Sequence, residues 1–202
     1  KLNCFNSNHF SREDANRTRY YKDENKRNKI RKNYITQIEW LKSLKIKVKI
    51  EKINDSNKMR VLQLINKTNQ MNLTTRRFNE TELNKILNNN KILSGTVRIK
   101  DKLGDMGLIG IYIIMIKPKE IQVLDFILSC RAFGRSIEHL MFYQINLHAK
   151  KRKIKKIIFT YLKTKKNRPA LDFLSSLKLK KKGKNNFIFN NEFKVIKPKH
   201  LN

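Results

Sequence analysis

Between residues 94 and 129 three β-type runs follow one another with no helix between them, and the last gives way directly to a helical stripe. This succession confines the chain to a mixed α/β fold. SGTVRIK (94 to 100), the turn around Gly104, GLIGIYIIMIKP (107 to 118) and IQVLDFILS (121 to 129) read as an antiparallel meander. From Gly134 to about Lys150 the apolar positions Ile137, Leu140, Met141, Tyr143, Ile145 and Leu147 hold a broad helical stripe. KIIFTYL (156 to 162) is a further β-rich run. The helix between them makes a crossover, so strands 121–129 and 156–162 are expected to be parallel, with a pocket where their ends splay.

The flanking segments complete the pattern. KIKVKI (45 to 50) alternates Lys with Ile or Val, as a strand with one buried face does. Ser56 is placed to cap a helix carrying Met59, Leu62, Leu64 and Ile65, and NETEL opens a second helix through Ile86 and Leu87. RPALDFLSSL (168 to 177) is an amphipathic helix with Pro169 in its first turn, and FIF (187 to 189) a short last strand. The expected order is β-α-α-β-β-β-α-β-α-β, a mixed sheet flanked by helices. Ahead of it, residues 11 to 33 are polar nearly all round and start with Ser11 and Asp14 in a capping-box-like spacing, which predicts a linker helix. ITQIEWLKSL (35 to 44) would dock that helix, giving a linker region over 1–40 and a domain over 41–202.

With 39% hydrophobic residues and only 6 Gly and 3 Pro, the 202 residues can bury one real core. The longest apolar run is closed by Lys117 and Pro118, short of a membrane span. Cys4 and Cys130 are too few for a disulfide scaffold or a cysteine-ligated metal, so no metal is expected and a reducing cytoplasm is the expected setting. The chain opens on Lys1 and has no signal-peptide core, so it reads as a fragment or processed product. Its net charge of +31 would attract nucleic acid or anionic lipid. Yet 34 Lys against 13 Arg, with 24 Asn, also fits one compositional bias toward Lys, Asn and Ile. Charge alone leaves both readings open.

The sharpest chemical signal is the junction DFILSCRAFGRSIEHL (125 to 140), where a buried strand turns into a helix through Arg131, Ala132, Phe133, Gly134, Arg135 and Ser136. Such a turn offers backbone N–H groups at the positive end of a helix dipole, which suits a pyrophosphate; the alternative is a plain βα turn with solvated arginines. The spacing resembles the R/Q-x-x-G-x-G/A loop of the GNAT acyltransferases, and the resemblance implies a coenzyme A pyrophosphate held by residues 131 to 136. KTKKNRPALDFLSSLKL (163 to 179) is similar to a later GNAT segment, with Asn167 and Ala170 matching. It departs from that pattern at Leu174, where the family has a tyrosine general acid, and at Lys178-Leu179, which replace Gly-Phe. A leucine cannot protonate a leaving thiolate, so amine acetylation by the usual family route does not carry over.

NKTNQMNLTTRRFNETEL (66 to 83) is too polar for core. With KLGDMGLIG (102 to 110), FILSCRAFGRSIE (126 to 138) and SREDANRTRYY (11 to 21), in this order, it is similar to the FkbH-like proteins. That resemblance spans nearly the whole chain. It implies the linker and GNAT-like half of a protein that also carries an upstream HAD-type domain, in a family associated with loading a glyceryl unit onto an acyl carrier protein; the Asp-x-Asp-x-Thr motif of the HAD half does not occur here. The implied function is handling of a phosphopantetheine-linked acyl thioester on carrier protein or coenzyme A. Asn69, Gln70, Asn72, Thr74 and Thr75 supply amides and hydroxyls, and Arg76 and Arg77 guanidinium forks, for the acyl end; the alternative is a loop that caps its neighbouring helices. Asp105 and Asp125 are candidate bases, though a turn aspartate commonly bonds its own backbone. His139 and Cys130 read more simply as packed residues. From a different class, a noncatalytic GNAT-like module bound to RNA or to the ribosome would use KKRKIKK (150 to 156) and KLKKKGK (178 to 184).

Overall fold

A computed structural model describes residues 17–190 and 194–201. Ser11, Asp14 and Cys4 lie outside the described residues. The first helix, α1 (Arg17–Arg31), leads into α2 (Gln37–Ser43), β1 (Lys47–Glu51) and α3 (Asp55–Lys67). A two-residue strand β2 (Met71–Asn72) and helix α4 (Glu80–Leu87) precede β3 (Ile92–Asp101), β4 (Gly104–Ile116) and β5 (Glu120–Leu128). Helix α5 (Ile137–Lys151), β6 (Lys156–Thr160), α6 (Arg168–Ser176), β7 (Lys180–Lys182) and β8 (Asn186–Asn190) complete the chain. The expected order stands, with β2 and β7 added. Neither is visible as a pattern, because β2 exists only through its pairing and β7 is three exposed lysines.

Local chemistry sets the helix starts. Thr36, Asn54 and Asn79 each close a capping box with the residue three places on. Ser56, expected to cap α3, sits inside it instead, because the Asn54 carboxamide accepts from the N–H groups of both Ser56 and Asn57. The strands form one sheet in the order β1-β3-β4-β5-β6-β8-β7, with β2 added beside β5. All pairs are antiparallel except β5 with β6, whose parallel register runs from Glu120↔Lys156 to Val123↔Phe159, as the crossover through α5 requires.

Helices α5 and α6 cover one face of this sheet and α3 and α4 part of the other, which divides the core in two. On the first face Phe126 stacks on Phe173 at 5.0 Å and meets the edge of Phe159 at 6.2 Å, contacts that contribute about 0.5–1.5 kcal/mol each beyond their buried area. On the second, Val61, Leu64 and Ile65 of α3 and Leu83 of α4 pack on Ile111, Ile113 and Ile127. No helix among the described residues is long and apolar enough to cross a membrane, and none of their His, Cys, Asp and Glu side chains gathers into a metal-ligating group of three.

Residue 40, the expected end of the linker region, falls inside α2, where Trp40 and Leu41 are buried in the main core. Helix α1 is fastened to the body most deeply by a fully buried ion pair. Arg27, 1% exposed, donates from Nε to Asp101 Oδ2 at 2.7 Å and from Nη2 to Oδ1 at 2.9 Å. The same carboxylate accepts from the N–H groups of Leu103 and Gly104 and so holds the β3–β4 turn. A buried pair completed in this way is tolerated, whereas one partner alone is a buried charge. Arg27→Ala is therefore expected to cost about 3 kcal/mol in urea unfolding, and Arg27→Met combined with Asp101→Asn to recover at least half of that.

Candidate functional site

The site begins with a single extra residue. Across β4 and β5, Ile113 faces Asp125 and Ile114 faces Val123, so Leu124 has no partner and forms a bulge. The bend falls where the β5–β6 pairing stops, at Val123↔Phe159, and from there the two strands diverge. A notch opens between them, and the loop 129–136 leads from the end of β5 into α5 at its mouth.

The chain's own segment 71–73 lies in this notch. Met71 and Asn72 pair antiparallel with Leu128 and Ile127 on the β5 edge that β6 has left, and Leu162 N–H donates to Leu73 C=O at 2.8 Å on the β6 side. Asn167, expected to hold cofactor, is fully buried and ties the two walls together. Its Nδ2 donates to the carbonyls of Asn72 and Leu162, and its Oδ1 accepts from the Tyr161 hydroxyl and the Thr164 N–H. With its amide spent on protein groups, Asn167 has no polar atom left for a ligand.

The Thr/Asn/Arg segment that enters the notch braces itself. Asn66 exchanges two hydrogen bonds with the backbone of Phe78, at 2.8 and 3.1 Å. Arg77, expected on substrate, is exposed and donates to the carbonyls of Ile65 and Thr68 at the end of α3 and to the Asn69 carboxamide. Asn72, also expected on substrate, is fully buried, donating to Thr68 C=O and accepting from Thr75 N–H. Gln70 is exposed. Arg76 reaches the bulge, where it pairs with Asp125 at 2.6 Å, and Thr74 Oγ1 lies 3.5 Å from the same carboxylate. Outside that pair a hollow of about 470 Å³ is lined by Arg76, Arg77, Phe78, Glu82, Lys85 and Ile86.

Asp125 is fully buried, and burial pushes its carboxyl above the ordinary value while Arg76 and Thr74 pull the other way. Burial prevails, because Arg76 is 40% exposed on its side chain and its field is partly screened by water. Asp105, the second candidate base, accepts from Gly107 N–H at 2.7 Å and stands on the β3–β4 hairpin, as a turn aspartate does.

At the notch mouth the loop is only partly open. Gly134 and Ser136 both take left-handed backbone, with φ of +74° and 58°, which turns the chain from the 3₁₀ turn Cys130–Ala132 into α5. Ala132 is buried and Phe133 half-buried. Arg135, expected to hold phosphate, is 2% exposed and points inward, donating to the carbonyls of Arg131 and Phe133 and gripping both carboxylate oxygens of Glu24 at 2.9 and 2.8 Å. Three other segments rest on the loop. The Arg131 guanidinium stacks on Tyr20 of α1 at 4.1 Å, Gln37 donates to Gly134 C=O at 2.8 Å, and His200 Nε2 lies 2.9 Å from Arg135 C=O. Sequence reasoning missed Glu24, Tyr20, Gln37 and His200; only Glu24, an acid in a basic helix, carried any signal. Cys130 is exposed at the start of the 3₁₀ turn, and His139, half-buried, makes a T-shaped contact with Phe173 at 5.6 Å.

No family model and no curated protein matches the sequence. Among solved structures, the chain resembles spermidine N-acetyltransferase from Vibrio cholerae, crystallised with CoA and spermine, at a TM-score of 0.54 and 11% identity over 71% of this chain and 95% of that one. The ribosomal-protein-S18-alanine N-acetyltransferase of Escherichia coli aligns at 0.51 and 8% identity, over 70% and 90% of the two chains. A domain from Methanocaldococcus jannaschii aligns at 0.54 and 13% identity, over 71% and 97%. The chain therefore has the GNAT acyltransferase fold, an open mixed sheet flanked by helices. At these identities the likeness establishes the fold alone.

Removing Arg76 would leave Asp125 buried by itself and raise its carboxyl further. A raised carboxyl makes the folded state bind more protons than the unfolded one, so stability falls as pH climbs above the unfolded carboxylate value. The penalty of Arg76→Ala in urea unfolding should accordingly be larger at about pH 8 than at about pH 5, by roughly 1–2 kcal/mol after discounting for the exposed guanidinium. Equal penalties at the two pH values would show that Asp125 is not the group Arg76 serves.

Proposed function

We propose that this chain is an acyltransferase-type domain of the FkbH-like kind, which takes an acyl thioester carried on phosphopantetheine, from carrier protein or coenzyme A, into the notch between β5 and β6. The observation that carries the reading is the bulge at Leu124, which frees a strand edge beside a loop that ends at a helix N-terminus. A pantetheine arm is extended and amide-bearing, so it can pair with such an edge as a strand would. Phosphate at the mouth would meet Arg131, the N–H groups around Gly134 and Ser136, and the positive end of the α5 dipole. The GNAT fold, with one neighbour crystallised with CoA, supports the same placement.

Segment 71–73 holds that edge in the described state, so the arm binds by displacing it. The acyl end then lies toward Thr74, Arg76 and the hollow beside them. Leu174 is fully buried, so it offers the leaving thiolate no proton, and the reading covers thioester binding and positioning rather than a complete transfer reaction.

Calorimetric titration with coenzyme A and with a phosphopantetheinylated acyl carrier protein tests this. At least one is expected to bind, to lose about tenfold or more in affinity in Arg131→Ala through a missing charged hydrogen bond, and to speed amide exchange at Met71–Leu73. Failure of both ligands to bind, or binding with unchanged exchange there, overturns the proposal.

A further inference from the structure

The basic charge is not spread evenly along the chain. Residues 150–190 hold 15 Lys and Arg and a single acid, Asp172, which Arg168 pairs at 2.7 Å. This stretch builds β6, β8 and β7, the half of the sheet that, among the described residues, has a helix layer on one face only. Toward α5 and α6 it turns Ile157, Phe159 and Phe189, all buried. Toward the other face it turns Lys156, Ile158 and Thr160 of β6, Asn186, Ile188 and Asn190 of β8, and Lys180 and Lys182 of β7, every one exposed or half-buried.

Register aligns these residues into rows. Gln122, Ile158, Ile188 and Lys180 run across four neighbouring strands in one row, and Thr160, Asn186 and Lys182 form the next. At one end of the face Lys156 continues into the exposed lysines of the turn at 150–155; at the other, Tyr161 N–H donates to Asn185 C=O and brings the turns bearing Lys163 and Lys184 side by side. Glu120, which faces Lys156 across β5 and β6, is paired with Lys117 at 3.1 Å. The result is a flat track, cationic from end to end, with amide and hydroxyl groups between the lysines.

From this arrangement we infer that the open face of β6–β8–β7 docks single-stranded nucleic acid through its phosphates. Lysines two residues apart on one strand face stand about 6.6 Å from each other, a spacing on the scale of successive phosphates in an extended strand. A linear polyanion can follow such a track across the sheet, whereas a compact acidic protein would cover a patch. The face carries Ile158 and Ile188 where a base-stacking platform has aromatics, so the binding discriminates little between sequences and weakens steeply with salt.

The full chain titrated with a fluorescein-labelled random single-stranded RNA of about 12 nucleotides, followed by anisotropy, tests the inference. The triple variant Lys156→Glu, Lys180→Glu, Lys182→Glu is expected to bind at least tenfold more weakly at about 0.15 M salt. Its log–log salt slope should be shallower by about 2, three lost phosphate contacts at roughly 0.7 each. Lys29→Glu, Lys42→Glu, Lys91→Glu carries the same net charge change off this face and should bind within about threefold of the parent. Acetylation footprinting of the unaltered chain reads the same surface without substitution, with RNA protecting Lys156, Lys180 and Lys182 and not Lys29, Lys42 or Lys91. Equal losses in the two triple variants, uniform protection, no RNA binding at about 0.15 M salt, or an acidic carrier protein that protects these lysines when RNA does not, would each overturn it.

Discussion

One unpaired residue, Leu124, determines how the centre of this molecule is built. A bulge in β5 ends the parallel pairing with β6 and leaves a strand edge facing inward, where bare N–H and C=O groups cannot stay without partners. Met71 and Asn72 supply those partners, and their position dictates much else. The chain must enter the notch from the end of α3 and leave it toward α4, so the segment on either side is stitched by Asn66, Arg77 and Asn72 to backbone it passes. The same bulge buries Asp125, and the exit of the segment brings Arg76 onto it. Notch, brace and ion pair follow from one irregularity in one strand.

A second regularity is the division of labour among the cations. Among the described residues every cation found deep in the protein is an arginine: Arg27 on Asp101, Arg135 on Glu24 and on loop carbonyls. A guanidinium presents five donors in a fixed fork and is less strongly hydrated than an ammonium, so it can satisfy a carboxylate and a carbonyl together at a tolerable desolvation cost. No described lysine is fully buried, and those that pair, such as Lys58 with Asp55 and Glu80 or Lys117 with Glu120, do so at or near the surface. In a chain with 16 acids, placing Glu24, Asp101 and Asp125 opposite arginines leaves few to neutralise lysines elsewhere.

The elements were legible in the sequence where burial imposes a period. The meander, the α5 stripe and the crossover need only local alternation and chain order, and the parallel β5–β6 pairing follows from them. Asp125 and Arg76 were legible as residues but not as partners, since they lie 49 positions apart and nothing local links them. The role of Arg135 was misread for the same reason. The loop pattern that suits phosphate is equally a pattern that needs covering, and Glu24 on a helix 111 residues away covers it. Asn167 fits the family spacing, yet its amide is spent on Asn72 and Leu162, a junction that exists only because segment 71–73 fills the notch. For Arg135 and Asn167 alike, a polar side chain was assigned to a ligand while the fold had nearer partners for it, a distant carboxylate in one case and backbone carbonyls in both.

The two surfaces to which function is ascribed draw on different parts of one sheet. The proposed thioester site would use the backbone edge of β5 beyond Val123, where hydrogen-bond direction would select an extended, amide-bearing ligand. The inferred nucleic-acid track would use side chains of β6, β8 and β7, where selection would be by charge and almost independent of shape. They meet at β6, whose Ile157 and Phe159 are buried under α5 and α6 while Lys156 and Ile158 look outward. A ligand that parts β2 from β5 pulls on Leu162, two residues beyond the end of β6, through its bond to Leu73. A polyanion laid across Lys156, Lys180 and Lys182 touches the same strand from the other side without requiring the notch to open. Because the contacts involve separate atoms, occupancy of one site leaves the other geometrically available. Two short connections link them, segment 160–162 at the end of β6 and the step from Gln122 to Leu124 in β5, and coupling would have to be carried by these.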